Sequence, residues 1–397
     1  MRRREFLARA CALLGGGILL EGGRSPAVAA GSAGPMPQGP LPAPDGERGL
    51  LGLFPFADEP QPPWDTLIGS GEGARRFTNL ADLPLDGSPP GNARFFVRTG
   101  PPPAPQPAGP WSLRFDASSP GKRAHLGLRS LEGLSRPQGR IVMECAGNDP
   151  GGGFGLLGAA DWEGVPLGIL LAKMKAKIGP LRGLDRIRVS GPGRNGASGG
   201  ASDATEWIFS ERQLAETGAF LALRMNGGPL SPENGHPARL LVPGWYGCAC
   251  VKWVDRVSWV EEDAPATAHM RDYARRIGLE SPPMLAREFP AASMGLSALP
   301  VRCEVRRSGE TAVLRVVGLS WGGERAHEPL LIRMGRGRWD GVRYASRRRD
   351  RLGWSVWTYD WEPPAAGDYP IFLRPGRPEA FAPRLASGYH LRTVRIA

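Results

Sequence analysis

One cysteine raises the first chemical question. The stretch "IVMECAGNDPGGGFGLLG" (141–158) runs an apolar segment into Cys145 and then into Ala-Gly-Asn. A lone thiol there is a buried small hydrophobe, a nucleophile, half of a disulfide or a metal ligand. The small residues after it let backbone approach a ligand closely. Cations elsewhere narrow the choice. Arg98 lies in a Pro-bracketed segment, Arg239 in "NGHPARLLVPGWYG" and Lys252 in "CVKW". A guanidinium takes phosphate or a sulfur oxyanion by paired hydrogen bonds, and an ammonium serves as a point charge. A soft thiolate suits a soft metal centre.

Other chemistries find little support. Gly153, Gly155 and Gly158 satisfy G-x-G-x-x-G, but a loop precedes them and residues 176–179 hold no acid, so a dinucleotide fingerprint is rejected. G-x-S-x-G occurs only in a Gly-rich stretch ("GASGG", 196–200) and within a strand-like run ("GLSWG", 318–322), not as a strand-to-helix elbow, and His125, His236, His269, His327 and His390 are scattered, which argues against a serine hydrolase. Cys248 and Cys250, two apart, read as half-buried residues on one face of a strand, with no pairing specified.

The elements that must position these residues alternate. "WSLRF", "GRIVMEC", "LDRIRVSG", "ARLLVPGWYG" and "CVKWVDRVSWV" read as strands. "VPLGILLAKMKAKIG" places Leu167, Leu170, Leu171 and Met174 at helical spacing, and "SERQLAETG" predicts a short helix capped by Ser210. "FLALRMNGGPL" carries a turn at Asn226-Gly227. After about residue 300 the pattern is purely strand-like, with Trp357, Tyr359 and Trp361 on one face of "SVWTYDW". The fold class is α+β: a mixed α/β domain followed by an immunoglobulin-like β-sandwich.

Residues 1–30 read as an export signal, with Arg3-Arg4-Glu5-Phe6-Leu7 resembling the twin-arginine motif. Its apolar stretch is shorter than the ~20 residues of a membrane span, so no span is expected in the mature chain. Residues 31–90 are a Pro/Gly-rich arm or linker, 91–285 the first domain and 286–397 the sandwich. The formal charge of +11 fits an anion-binding protein. Export and the lack of interleaved basic and aromatic residues argue against nucleic acid. Arg347-Arg348-Arg349 is a solvated loop or a docking patch for an acidic protein.

Together these segments resemble the sulfite oxidase family of molybdenum enzymes. "CAGN" (145–148) matches the family's molybdenum-cysteine loop, and "DWEGVPLGILL" the segment after it. "MNGGPLSPENGHPARLLVPGWYGCACVKW" is the most specific block. "RDY" (271–273) matches the family's active-site tyrosine, and "WSVWTYDWEPPAAGDYPIFLR" its dimerisation domain. The resemblance implies a molybdenum–molybdopterin cofactor with Cys145 as the protein's metal ligand. It implies that Arg98 binds anionic substrate beside the metal and that Tyr273 assists proton and electron transfer. Thr99, Asn148, Asp203, Asn234, Arg239, Cys250, Val251 and Lys252 would contact the cofactor, as would Arg98. The chain departs from the family at Asp149-Pro150, where sulfite-oxidising members often carry arginines. Thr99-Gly100 replace an Asn-His, and Asn234 replaces a histidine.

The expectation is therefore a periplasmic homodimer. It would oxidise a small anionic sulfur compound, most simply sulfite to sulfate, and pass electrons to an external c-type cytochrome. One alternative keeps the cofactor and acts on an S-oxide or N-oxide. Another is a secreted binding protein that retains only the fold.

Overall fold

The computed structural model describes residues 49–396 apart from 58, 101–109, 118–122, 194–203, 309–310, 323–328, 346–351, 378–379 and 381. The export segment, Asp203, His327 and the arginine run at 347–349 lie outside the described residues. Strand β1 (Leu50–Phe54) opens the described chain, followed by the two-residue strands β2 (Arg75–Arg76) and β3 (Val97–Arg98). The first domain continues through β4 (Ser112–Ala117), β5 (Arg123–Gly127), α1 (Leu128–Glu132), β6 (Arg136–Glu144), β7 (Leu157–Pro166) and α2 (Leu167–Ile178). Then come β8 (Arg186–Gly193), β9 (Ala204–Ser210), α3 (Glu211–Thr217), β10 (Phe220–Met225), β11 (Gly228–Pro229), β12 (Arg239–Leu241), β13 (Arg256–Val260) and α4 (Ala268–Tyr273).

Two five-stranded sheets build this domain. One has the order β11-β10-β7-β6, with β12 also paired to β10; the other runs β5-β4-β13-β8-β9. Pairing is antiparallel except for β4 against β13, so the second sheet is mixed. Helix α2 buries Leu167, Leu170, Leu171, Met174 and Ile178, the stripe expected from its spacing. Helix α3 begins in a capping box, with the Ser210 hydroxyl accepting from the Gln213 amide and Gln213 reaching back to the Ser210 N–H. Asn226 and Gly227 both take positive φ and turn β10 into β11.

The second domain contains β14 (Ser297–Ser308), β15 (Thr311–Trp321), β16 (Leu330–Met334), β17 (Asp340–Gly341), β18 (Arg343–Tyr344), β19 (Ser355–Trp361), β20 (Gly367–Pro375), α5 (Pro383–Ala386) and β21 (Arg392–Ile396). Its sheets, β1-β14-β15-β19-β18 and β17-β16-β20-β21, enclose a separate core that includes Phe56, Val316, Ile332, Trp357 and Val394. This is a β-sandwich. Strand β1 comes from the segment read as an arm and pairs antiparallel with β14. Among the described residues no helix is long and apolar enough to cross a membrane.

Two sequence expectations need correction. Cys248 and Cys250 are not on a strand. They sit in consecutive turns in which the Ala249 and Cys250 amides donate to Tyr246 and Gly247 carbonyls, and both are buried rather than half-buried. Only residues 256–260 of "CVKWVDRVSWV" form a strand, because the preceding residues close a cavity wall instead. The glycine cluster at 152–155 has a packing role. A Cβ on Gly152 would lie 2.5 Å from the Phe77 ring, and one on Gly153 would lie 2.4 Å from Trp64. Gly153 also takes φ +59, where a side chain is strained.

Candidate active site

Cys145 follows directly on β6, and its amide donates to the Leu156 carbonyl at 3.0 Å. The turn after it is tight, since the Asn148 amide donates to the Cys145 carbonyl at 2.9 Å and the Gly147 amide faces Cys145 Sγ at 3.4 Å. The thiol is 5% exposed and opens on a cavity of about 310 Å³. Burial raises its pKa, while the Gly147 amide, Arg98 and Arg276 pull it back down. The four described cysteines are free.

The cavity gathers residues from distant parts of the chain. Arg98, Thr99, Cys145, Asn234, Arg239, Cys250, Lys252 and Tyr273 all line it. Val251 does not; its carbonyl accepts from the Leu240 amide behind the wall. Asn148, expected at the cofactor, is also absent from the lining. Its side-chain amide donates to Glu144 at 3.2 Å and its side-chain carbonyl accepts from the Leu156 amide at 3.0 Å. A buried amide is satisfied by those bonds, so Asn148 shapes the cysteine loop rather than reaching into the cavity. Asp149 points elsewhere too. It is exposed, and its carboxylate accepts from the Gly152 amide at 3.0 Å to cap a short 3₁₀ turn.

One end of the cavity is built for a buried anion. Arg239 is 5% exposed and makes no ion pair among the described residues. Its Nη1 reaches the Asn234 carbonyl at 3.4 Å, its Nη2 lies 2.9 Å from Met143 Sδ, and its Nε has no partner. The side-chain nitrogen of buried Asn234 is also unpartnered. Burial lowers the Arg239 pKa to about 10, with Cys250 opposing. A buried cation beside two orphan donors is costly alone and is stabilised by an anion such as a phosphate.

Lys252 stitches the wall together. Its ammonium donates to the carbonyls of Arg98 (3.2 Å), Thr99 and Glu233 (2.9 Å). Burial, Arg239 and Arg98 push its pKa well below the ordinary lysine value. Thr99 (φ 74) and Trp253 (φ 54) line the cavity in the left-handed region, and the Trp253 indole N–H is fixed by the Pro232 carbonyl at 2.7 Å. Strained non-glycine backbone of this kind concentrates at functional sites.

Helix α4 supplies the opposite wall. The Thr267 hydroxyl caps it by accepting from the Met270 amide. His269 Nε2 contacts the Cys248 carbonyl at 2.9 Å, so that nitrogen carries the proton. The His269 ring lies 4.9 Å from the Tyr273 ring. Burial, then the nearby Cys145, raises the Tyr273 pKa, which keeps its phenol protonated.

The motifs leave several site residues unmarked. Arg75 and His269 line the cavity, and Arg276 sits against Gly147, yet none belongs to a matched segment that marks it. Their signal is three-dimensional: a basic or aromatic side chain brought beside Cys145 by an element distant in sequence.

These residues fit a molybdopterin cofactor. Arg239 and Asn234 offer donors to a phosphate, Lys252 holds the wall, and Cys145 offers one thiolate. Among the described residues there is no cluster of three or more His, Cys, Asp or Glu for a metal, so this thiolate would be one ligand in a set completed by the cofactor.

Comparison with known proteins agrees. Residues 99–268 match the oxidoreductase molybdopterin binding domain. Mitochondrial sulfite oxidase of Macaca fascicularis is 27% identical over 254 residues, covering 59% of this chain and 45% of that protein. Nitrate reductase (NADPH) of Beauveria bassiana is 30% identical over 148 residues, covering 33% of this chain and 15% of that protein. The chain thus spans less than half the length of these curated relatives. The solved structure of the sulfane dehydrogenase SoxCD from Paracoccus pantotrophus shares the fold, with a TM-score of 0.58, 17% identity and coverage of 82% of this chain and 85% of that one. From the buried thiol to the matched domain around it, the findings converge: residues 99–268 are similar to the oxidoreductase molybdopterin binding domain, and the chain around them resembles the sulfite oxidase family of molybdopterin oxidoreductases.

Proposed function

We propose that this protein is a molybdopterin-dependent oxidoreductase that oxidises a small sulfur oxyanion, most simply sulfite to sulfate. The overall change is sulfite plus water giving sulfate, two protons and two electrons. The electrons leave to an external acceptor, for which a c-type cytochrome is the proposed class. The bound cofactor would supply oxygen-atom transfer coupled to two-electron redox chemistry. The chain's own residues do the rest. Arg98 binds the oxyanion, since its guanidinium lines the cavity with its Nη1 fixed by the Glu72 carbonyl at 3.2 Å and the Thr99 hydroxyl at 3.1 Å. Tyr273 holds a proton at its phenol oxygen beside the reacting region. Arg239 and Asn234 hold the cofactor's phosphate, and Cys145 holds its metal.

The observation that carries this reading is Arg239 with its orphan Nε beside the orphan amide of Asn234, in the cavity that Cys145 lines. Protein made in a molybdopterin-competent host should reduce ferricyanide in the presence of sulfite, and Cys145→Ser should abolish it. No turnover at any pH in cofactor-loaded protein would sink sulfite as the substrate. A second reading, reduction of an S-oxide or N-oxide, is favoured by one departure. Asp149-Pro150 stands where sulfite-oxidising relatives often carry arginine, and nitrate reductases are among the relatives. Nitrate-dependent or S-oxide-dependent oxidation of a reduced viologen, without sulfite turnover, would decide for it. The twin-arginine-like segment supports a periplasmic location, and the sandwich supports a homodimer. Fractionation of cells and sedimentation of the purified chain test those two proposals.

A further inference from the structure

The arginine missing after "CAGN" is not simply lost. Strands β2 and β3 place Arg75 directly opposite Arg98. Like charges in cross-strand register repel, so this two-stranded ladder is unfavourable unless something negative lies between them. Both side chains line the cavity that holds Cys145 and Tyr273. A third guanidinium lies beside the cavity, against the cysteine loop and outside the lining itself. Arg276, in the 3₁₀ turn that continues α4, packs directly on Gly147, where a Cβ would lie 1.7 Å from its Nη1. It also sits 5.9 Å from the centre of the Tyr273 ring. Gly147 leaves that space open, so glycine there and arginine at 276 form a matched pair.

None of the three arginines makes an ion pair with a carboxylate among the described residues. Arg75 Nη1 donates to the Glu72 and Ala74 carbonyls at 2.7 and 2.8 Å, which aims the guanidinium while leaving its charge uncompensated. Asp149 cannot neutralise them, because its carboxylate is exposed and spent on the Gly152 amide. Burial and the two neighbouring arginines depress the Arg75 pKa, which records the same crowding of positive charge.

We infer that Arg75 and Arg276, with Arg98, form an oxyanion site over Cys145 that selects a doubly charged tetrahedral or pyramidal sulfur oxyanion. This rests on the function proposed above and names the residues that set its specificity. Three separate cations favour a dianion with several oxygens over a neutral S-oxide or N-oxide, which would leave them unneutralised. Arg98 is held by β3, whereas Arg276 is exposed on a short turn, so Arg276 is the group that can adapt to the bound anion.

Calorimetric titration of the cofactor-loaded protein with sulfate tests the site without turnover. Wild type should bind sulfate. Arg276→Ala and Arg75→Ala should each weaken binding by about tenfold or more, the loss expected of one charge-assisted contact. Arg276→Lys should recover part of it, and Arg275→Ala, an exposed neighbour, should bind like wild type. In sulfite assays the two alanine variants should raise KM far more than they lower kcat. Unchanged sulfate affinity in Arg276→Ala and Arg75→Ala, or no sulfate binding by folded wild type, would overturn the inference. Pterin content is measured on the same samples. A chain that binds sulfate through these arginines but carries no pterin would overturn the function proposed above and leave the oxyanion site standing.

Discussion

Arg239 is a buried guanidinium waiting for a counter-ion. Removing it should therefore act in opposite directions on cofactor and fold. Arg239→Met keeps the volume and removes an unpaired charge, so the cofactor-free protein should unfold at a denaturant concentration no lower than wild type. The same variant should retain at least about tenfold less pterin after purification. A parallel fall in stability of the cofactor-free form would mean that Arg239 is structural. The conspicuous residues of this site were legible in the sequence because they sit in long matched blocks: Cys145 in "CAGN", Arg239 and Lys252 in "NGHPARLLVPGWYGCACVKW". Asn148 was legible as part of that motif but not in its role, since its amide bonds to Glu144 and Leu156 exist only once β6 and β7 pair. Arg75 and Arg276 were invisible, because an arginine in "GARRF" or "ARRIG" looks like any solvated charge until folding puts it beside Cys145.

The hairpin of β6 and β7 is the element that positions the thiol, and the loop joining its strands has two halves. The first half, 145–148, wraps the cysteine. The second, 149–155, is a floor for Trp64 and Phe77, with the Thr78 amide donating to the Gly155 carbonyl at 2.8 Å. Gly153→Ala combines a strained φ with a clash against Trp64 and should cost about 1–3 kcal/mol in denaturant unfolding. Asp149→Arg tests the loop differently. It restores the family's residue type at a side chain that points away from the cavity. It should lose a cap, at about 0.5–2 kcal/mol, without tightening sulfate binding. Tighter binding would show that position 149 can reach the anion. At this scale the helices and turns were readable from local chemistry: the stripe of α2, the Ser210 cap of α3 and the Asn226-Gly227 turn. The turns at Cys248 and Cys250 were not, because a run of apolar residues reads as strand while the backbone there closes a cavity.

Across the whole molecule, the C-terminal segment locks the sandwich onto the cysteine strand. Glu144, at the end of β6, is fully buried and accepts from Arg384 Nη1 at 2.6 Å and from the Trp321 indole N–H at 2.9 Å. The Tyr389 hydroxyl donates to the Asn148 carbonyl. Arg384→Met would strand the buried carboxylate, so unfolding should cost about 3–5 kcal/mol less, read by urea denaturation. His390 lies in the same joint, 3% exposed between Phe154 and Trp321, with neither ring nitrogen hydrogen-bonded among the described residues. Burial, then Arg384 and Arg392, depresses its pKa well below the unfolded value of 6.5. The unfolded chain therefore binds a proton that the folded chain refuses. Stability is full above that value and falls as pH drops below it. His390→Phe should flatten this part of the pH dependence, and an unchanged profile would contradict the assignment. None of these links could be read from sequence, since Glu144 and Arg384 are 240 residues apart and nothing local pairs them. The same holds for β1, whose partner β14 lies far along the chain. The two-domain division itself was readable, because the change from mixed to purely strand-like pattern follows the composition.

Molybdenum and pterin content, measured together on wild-type protein from a cofactor-competent host, test the central claim most directly. The account predicts about one molybdenum and one pterin per chain, with Cys145→Ser keeping the fold and the pterin but losing turnover. Folded wild-type protein with neither, or Cys145→Ser with undiminished turnover, would contradict it.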